Sequence, residues 1–161
     1  MKRILFVCTG NTCRSSMAEG LFKHLLKAEN VSDKYCVSSA GTSAFLKLPA
    51  SDNAIKVLDE LEIDLKNHES TAVAKDMLQK ADLILTMTKS HKAYVLGVVP
   101  EAISKVFTLK EYVGEGVSAA VAIDDVDVVD PYGGDIETYR ICRDEILANL
   151  KKVLNKLEME E

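Results

Sequence analysis

The stretch KRILFVCTGNTCRSSMAE, residues 2–19, changes character twice within eighteen residues. Residues 3–7 (RILFV) are a short apolar run of the kind a strand buried on both faces shows. The run leads straight into Cys8, and Gly10, Asn11 and Arg14 follow within six residues. From Ser15 the period becomes helical: Ala18, Leu21, Phe22 and Leu25 stand at i, i+3, i+4 and i+7, which predicts a helix to about Ala28 with Glu19 near its positive end. The stretch is therefore a strand, a tight loop and a helix.

The same alternation repeats outward. Residues 35–39 (YCVSS), 83–87 (LILTM) and 105–109 (KVFTL) are further strand candidates. Residues 51–62 predict a helix that Ser51 or Asp52 can cap, and residues 89–96 a short one. Residues 136–157 carry Tyr139, Cys142, Ile146, Leu150, Val153 and Leu157 on one stripe and predict a long terminal helix. Residues 114–129 have no clear period and read as a long surface loop. Four β/α alternations with no linker or repeat imply a single-domain α/β fold, a parallel sheet with helices on both faces. Such sheets place their sites beyond the carboxyl ends of the strands.

Composition narrows the partners. At 161 residues and 47% hydrophobic the chain has enough for one continuous core. A net charge of −5 argues against nucleic-acid binding while leaving room for a locally positive site. Four cysteines without paired CxxC spacing fit a reduced compartment better than a disulfide scaffold or a zinc site. The apolar residues 4–7 are too short for a signal-peptide core, and no run approaches the roughly 20 residues needed to span a bilayer. The expectation is a cytoplasmic protein with no membrane partner.

The loop after the first strand carries the chemistry. Gly10 can adopt positive φ and Asn11 tolerates it, and a loop turning this way points successive backbone N–H groups at an anion, with the helix dipole behind them. Arg14 adds a planar fork that matches two phosphate oxygens. The same positive field is expected to lower the pKa of Cys8, and Ser15 is placed to donate a hydrogen bond to its sulfur, which makes Cys8 a nucleophile facing bound phosphorus. The loop is not a nucleotide-binding P-loop, since GxxxxGK[ST] is absent. Cys-x5-Arg is weak as a spacing alone; its place between a strand and a helix gives it weight against a reading of Cys8 as core and Arg14 as solvated.

A leaving group expelled from phosphorus needs a proton donor opposite the thiolate. Asp130, in DPYGG at residues 130–134, is the candidate, although Asp-Pro also initiates turns, and Asp124, Asp125 and Asp127 compete with it. His68 is placed to bond Asn11 and hold a strained turn, or simply packs. His24 and His91 read as surface residues, Cys36 and Cys142 as core, and Cys13 as loop packing or a reversible disulfide partner of Cys8.

VCTGNTCRSSMAE at residues 7–19, SAGT at 39–42, ADLILTMTKSHK at 81–92 and DPYGG at 130–134 together resemble the low-molecular-weight protein tyrosine phosphatase family over nearly the whole chain. The resemblance implies a four-stranded parallel sheet with flanking helices, a phosphate-binding loop after the first strand, a cysteinyl-phosphate intermediate, and neither metal nor other cofactor. It makes Cys8 the nucleophile, Arg14 the phosphate binder, Asp130 the acid and then the base, with Ser15, Asn11 and His68 supporting the loop. Thr9, Gly10, Asn11, Thr12, Cys13 and Ser15 are expected at the substrate, with Phe45 and Tyr132 beside it. The expected partners are phosphorylated proteins, met by a monomer.

Two departures matter. Tyrosine phosphatases of the family resemble CLGNICRSP, with a large aliphatic residue where this chain has Thr12, and have paired aromatics where it has Tyr132-Gly-Gly; Ser16 also replaces a proline. Thr12 and the glycines resemble the protein arginine phosphatase branch. A short polar side chain narrows the fit for a flat ring and can orient a planar guanidinium, with Asp130 pairing its charge. Thr12 as a neutral variant within a tyrosine phosphatase, an arsenate reductase, and a non-catalytic phosphate-binding module are the competing readings.

Overall fold

The structure, a computed structural model, describes residues 1–114 and 126–161. A parallel sheet is its centre, with strands β1 (Lys2–Cys8), β2 (Tyr35–Gly41), β3 (Leu83–Thr86) and β4 (Val106–Thr108) in the order β2-β1-β3-β4. The central β1 explains its own composition. Ile4 and Phe6 face one core while Leu5 and Val7 face the other, and all four are essentially inaccessible. A strand buried on both faces has no solvent side to alternate toward.

On the first face pack α1 (Arg14–Ala28), α2 (Asp52–Asp59), α5 (Leu109–Val113) and the long α6 (Ile136–Met159). Phe6 meets Phe22 of α1 edge-on at 5.8 Å between ring centres. On the second face lie α3 (Lys75–Lys80), α4 (Lys89–Val98) and the 3-10 turn Pro100–Lys105, through Leu78, Val95 and Ala102. Every strand ends toward the same edge, and the loop after β1 opens there.

Several boundaries differ from expectation for local reasons. Strand β2 runs two residues further than predicted, to Gly41, because Gly41 pairs with Cys8 and bridges to Ala72. The helix expected to residue 62 stops at Asp59; Glu62 then takes a left-handed φ of 60° and the Ile63 N–H returns to the Leu58 carbonyl. Helices α3 and α5 were not predicted; both are too short to show a period. Cys36, expected in the core, is exposed: it sits on edge strand β2 and lines a surface hollow with Met77 and Lys80 of α3. Cys142 is buried as expected, and His24 is exposed. Most of the loop expected over residues 114–129, with Asp124 and Asp125, lies outside the described residues. Among the described residues, no helix is long and apolar enough to cross a membrane.

Candidate active site

The loop from β1 to α1 is seated on the end of β2. A Cβ on Gly41 would stand 2.5 Å from the Thr9 carbonyl oxygen and 3.0 Å from the Asn11 nitrogen, so only glycine permits this approach. The pairing continues past the strand: the Thr42 N–H donates to the Cys8 carbonyl and the Ser43 N–H to that of Thr9, each at 2.9 Å. This accounts for SAGT following a strand pattern.

Asn11 organises the turn. It has a φ of 58°, is wholly buried, and uses every polar group it carries. Its Nδ2 donates to Ser15 Oγ (2.8 Å) and Ser39 Oγ (2.9 Å), its Oδ1 accepts from the Thr71 N–H (2.9 Å), and its carbonyl accepts from His68 Nε2 (2.6 Å). Proton directions follow. Ser15 and Ser39 both accept from Asn11, so Ser15 directs its own hydrogen at Cys8 Sγ, 2.8 Å away, and Ser39 gives its hydrogen to Glu19 Oε1 at 2.7 Å. The Asn11 N–H donates to the same sulfur at 3.3 Å, and the Ser15 N–H also bonds it. Sequence reasoning found Ser15, Asn11 and His68 in this network and missed Ser39 and Glu19. Glu19 is not in the first turn of α1, and its carboxylate ends the chain of hydroxyls rather than complementing the helix dipole.

The expectation of a lowered pKa at Cys8 is corrected. Cys8 is 2% exposed, and burial pushes the thiol up, outweighing the Ser15 and Asn11 hydrogen bonds and the Arg14 charge that pull it down. The Ser15 and Asn11 groups that would stabilise a thiolate bond the sulfur directly and the Arg14 charge adds to them, all acting against desolvation.

Arg14 is buried, not solvated. Its Nη1 donates to the Val128 carbonyl at 3.0 Å and its Nη2 lies 3.4 Å from Asp130 Oδ2. Asp130 is half exposed, and its Oδ1 accepts the Tyr132 N–H at 3.1 Å. Turn initiator and cleft carboxylate are therefore compatible readings of one residue. Gly133, with a φ of 79°, carries the turn into α6, where the Asp135 carboxylate accepts the Thr138 N–H. Asp127, a competitor for the acid, is occupied elsewhere: its Oδ1 takes the Lys89 N–H at 2.8 Å where α4 begins.

Cys8, Thr9, Gly10, Thr12, Cys13 and Arg14 floor a cleft of about 460 Å³, walled by residues 43–46 and Leu48 on one side and by Asp130 and Tyr132 on the other. Phe45 and Tyr132 are exposed at its mouth. Asn11 and Ser15 do not line it; they are buried beneath the loop. Cys13 packs its sulfur 3.2 Å from the Tyr139 hydroxyl, and all four cysteines are unpaired.

His91, like Cys36, lies where sequence reasoning did not place it. It is 5% exposed, its Nε2 stands 2.8 Å from Thr9 Oγ1, and its Nδ1 has no partner among the described residues. Burial and the nearby Arg14 charge lower its pKa to about 4. A histidine one turn into a short helix looks solvated in sequence; its contact with Thr9 brings the loop of β1 to α4, which is a tertiary event.

A buried sulfur at the carboxyl end of a central strand, three hydrogen-bond donors on it, a guanidinium beside it and a carboxylate across the cleft can bind a tetrahedral oxyanion and attack it. Comparison with known proteins points the same way. Residues 3–161 match the family described as low molecular weight phosphotyrosine protein phosphatase. The chain is 40% identical to the protein-arginine-phosphatase of Bacillus subtilis (strain 168) over 155 residues, 96% of each chain. It is also 40% identical to the protein-arginine-phosphatase of Geobacillus stearothermophilus over 161 residues, 99% of this chain and 98% of the relative. Among solved structures, a YwlE mutant from Bacillus subtilis superposes with a TM-score of 0.87 at 38% identity, covering 98% of this chain and 99% of that one.

Proposed function

The chain belongs to the low molecular weight phosphotyrosine protein phosphatase family, and we propose that within it this protein removes the phosphoryl group from phosphoarginine in proteins, through a phosphocysteine on Cys8. It is a protein phosphatase, with relatives named protein-arginine-phosphatase over almost its full length. The observation that carries the arginine assignment is Thr12. It lines the cleft between Gly10 and Arg14 with a short polar side chain where the tyrosine-directed pattern has a large aliphatic one.

In this reading Arg14 and the loop N–H groups hold the phosphoryl oxygens, the Cys8 thiol passes its proton to an oxygen of the bound phosphoryl dianion, and the resulting thiolate attacks phosphorus as the P–N bond breaks. The departing guanidine is strongly basic, so Asp130 delivers a proton to its nitrogen. Asp130, now ionised, takes a proton from the water that attacks phosphocysteine; inorganic phosphate leaves and the thiolate is restored. Ser15, held as a donor by Asn11, stabilises that thiolate, and His68 keeps the Asn11 turn in place. Phe45 and Tyr132 flank the substrate side chain. The protein acts as a monomer on phosphorylated proteins in the cytoplasm. Four unpaired cysteines, Cys36 exposed among them, suit that reduced compartment.

The deciding experiment compares kcat/KM on matched peptides bearing phosphoarginine, phosphotyrosine and phosphoserine, for the unmodified protein and Thr12→Ile. The expected result is a strong phosphoarginine preference that shifts toward phosphotyrosine in the variant. A phosphotyrosine preference in the unmodified protein would overturn the arginine assignment and leave the Cys8 chemistry standing.

A further inference from the structure

The Thr9–His91 contact has no part in the proposed mechanism, yet it joins the residue next to the nucleophile to a buried imidazole on α4. We propose that His91 is a positioning residue: its Nε2–H donates to Thr9 Oγ1 and so turns the Thr9 hydroxyl proton into the cleft, adding a side-chain donor for a phosphoryl oxygen. This rests on the phosphatase reading above.

The tautomer decides the direction. His91 is almost wholly buried, and burial together with the Arg14 charge keeps the ring neutral, so it carries a single N–H. If that proton were on Nδ1, it would be a buried donor with no acceptor among the described residues. Orphaned buried N–H groups are rarer in folded proteins than unsatisfied acceptors, so the proton belongs on Nε2, where Thr9 Oγ1 lies 2.8 Å away. A hydroxyl oxygen that accepts this bond keeps its own hydrogen free.

The free hydrogen has one useful place to go. Thr9 is exposed, follows Cys8 directly and lines the cleft floor. Its carbonyl is fixed by the Ser43 N–H, so the residue is pinned at the backbone by the end of β2 and at the side chain by α4. The charged groups facing His91 are Arg14 from α1 and Asp127 and Asp130 from the segment before α6; Lys89 and Lys92 flank it on its own helix. The same first turn of α4 holds Asp127 through the Lys89 N–H, and Val128 is bonded to Met87 just before it. One helix start thus holds both the neighbour of the nucleophile and the segment that carries the acid.

The test measures inorganic phosphate binding by calorimetry, together with kcat/KM on the preferred phosphopeptide, for Thr9→Val, Thr9→Ser, His91→Phe and the double variant Thr9→Val/His91→Phe. Loss of a hydrogen bond to a charged oxygen predicts phosphate affinity about tenfold weaker in Thr9→Val, with kcat/KM reduced in step. Thr9→Ser should return to within about threefold of the unmodified protein. His91→Phe should lose less than Thr9→Val, and the double variant no more than Thr9→Val alone, since both act through one hydroxyl. Phosphate binding in Thr9→Val within twofold of the unmodified protein would overturn the proposal, as would losses that multiply in the double variant. If His91→Phe does not fold, the two Thr9 variants decide alone. A protein that binds phosphate but hydrolyses no phosphopeptide would sink the phosphatase reading, while the Thr9 binding comparison would still decide this one.

Discussion

Strands β1 and β4 both run from the sheet into a helix, and the two junctions are built in opposite ways. At β4 the last strand residue is itself the cap: Thr108 Oγ1 accepts the Glu111 N–H at 3.0 Å, Glu111 returns its carboxylate to the Thr108 N–H at 3.1 Å, and α5 begins at the next residue. At β1 five residues intervene, no side chain caps α1, and Asn11 stands in a left-handed conformation. The polar side chains buried there satisfy one another and converge on a sulfur. A junction that satisfies its own first-turn groups is scaffold; the one that leaves its helix start uncapped by side chains and aims donors at a thiol is a site.

The largest effect should come from the sulfur. Cys8→Ser is expected to lower kcat on the preferred phosphopeptide by at least about 10³-fold, a loss of the order seen when a catalytic nucleophile is removed. It should leave phosphate binding by calorimetry close to that of the unmodified protein. Turnover that survives Cys8→Ser would make the β1 junction another scaffold and break the contrast.

Gly41→Ala tests whether that junction depends on the neighbouring strand. The added methyl would press on backbone atoms at 2.5 and 3.0 Å, which cannot move without shifting the loop. The expected result is a stability loss of about 1–3 kcal/mol in urea unfolding together with a fall in kcat/KM. A stable variant with full activity would show that the loop holds its shape without β2.

Much of this difference is written in the chain. Residues 4–7, the helical stripe of α1 and that of α6 are set by local period, and their ends fell within two residues of expectation. Cys8, Arg14 and Asp130 could be chosen because their chemistry is unusual for their setting, and they converge on one cleft. Thr108-Leu-Lys-Glu111 was also legible as a capping box, but a strand drawn through residue 109 hid it. What stayed hidden depends on contacts between distant segments. Cys36 is exposed on edge strand β2, Ser39 and Glu19 meet only once β2 lies beside α1, and His91 meets Thr9 only once the loop of β1 lies beside α4. The Cys8 pKa belongs to the same class: the attractive groups were visible in sequence, the burial opposing them was not.

A third junction, β3 into α4, lies between the two extremes. Thr88 caps α4 through the His91 N–H, as a scaffold would, yet the His91 ring serves the site. Its folded pKa of about 4 lies below the ordinary value of 6.5. Between those values the unfolded chain binds the proton that the folded one refuses, so this contribution is intact above pH 6.5 and is lost as pH falls toward 4. The slope is at most about 1.4 kcal/mol per pH unit for one proton. Urea unfolding at pH 7, 6, 5 and 4.5 should show the decline, and His91→Phe should flatten it. A decline equally steep in the variant would assign it to carboxylates instead.

Thr108→Ala should have the smallest effect and sharpens the contrast most. Removing the hydroxyl leaves the Glu111 N–H without its cap, which costs about 1 kcal/mol of stability. Glu111 keeps its ion pair with Lys92 at 2.8 Å, so α5 stays anchored to α4. Neither Thr108 nor α5 lines the cleft, and kcat/KM at a temperature well below unfolding should therefore be unchanged. The two assays separate what the two junctions do: at β4 a lost side-chain bond should appear in the unfolding curve alone, whereas at β1 it should appear in turnover. A Thr108→Ala variant that is as slow as it is unstable would mean that the sheet transmits strain from β4 across β3 to the loop, and that the division between scaffold and site is drawn too sharply.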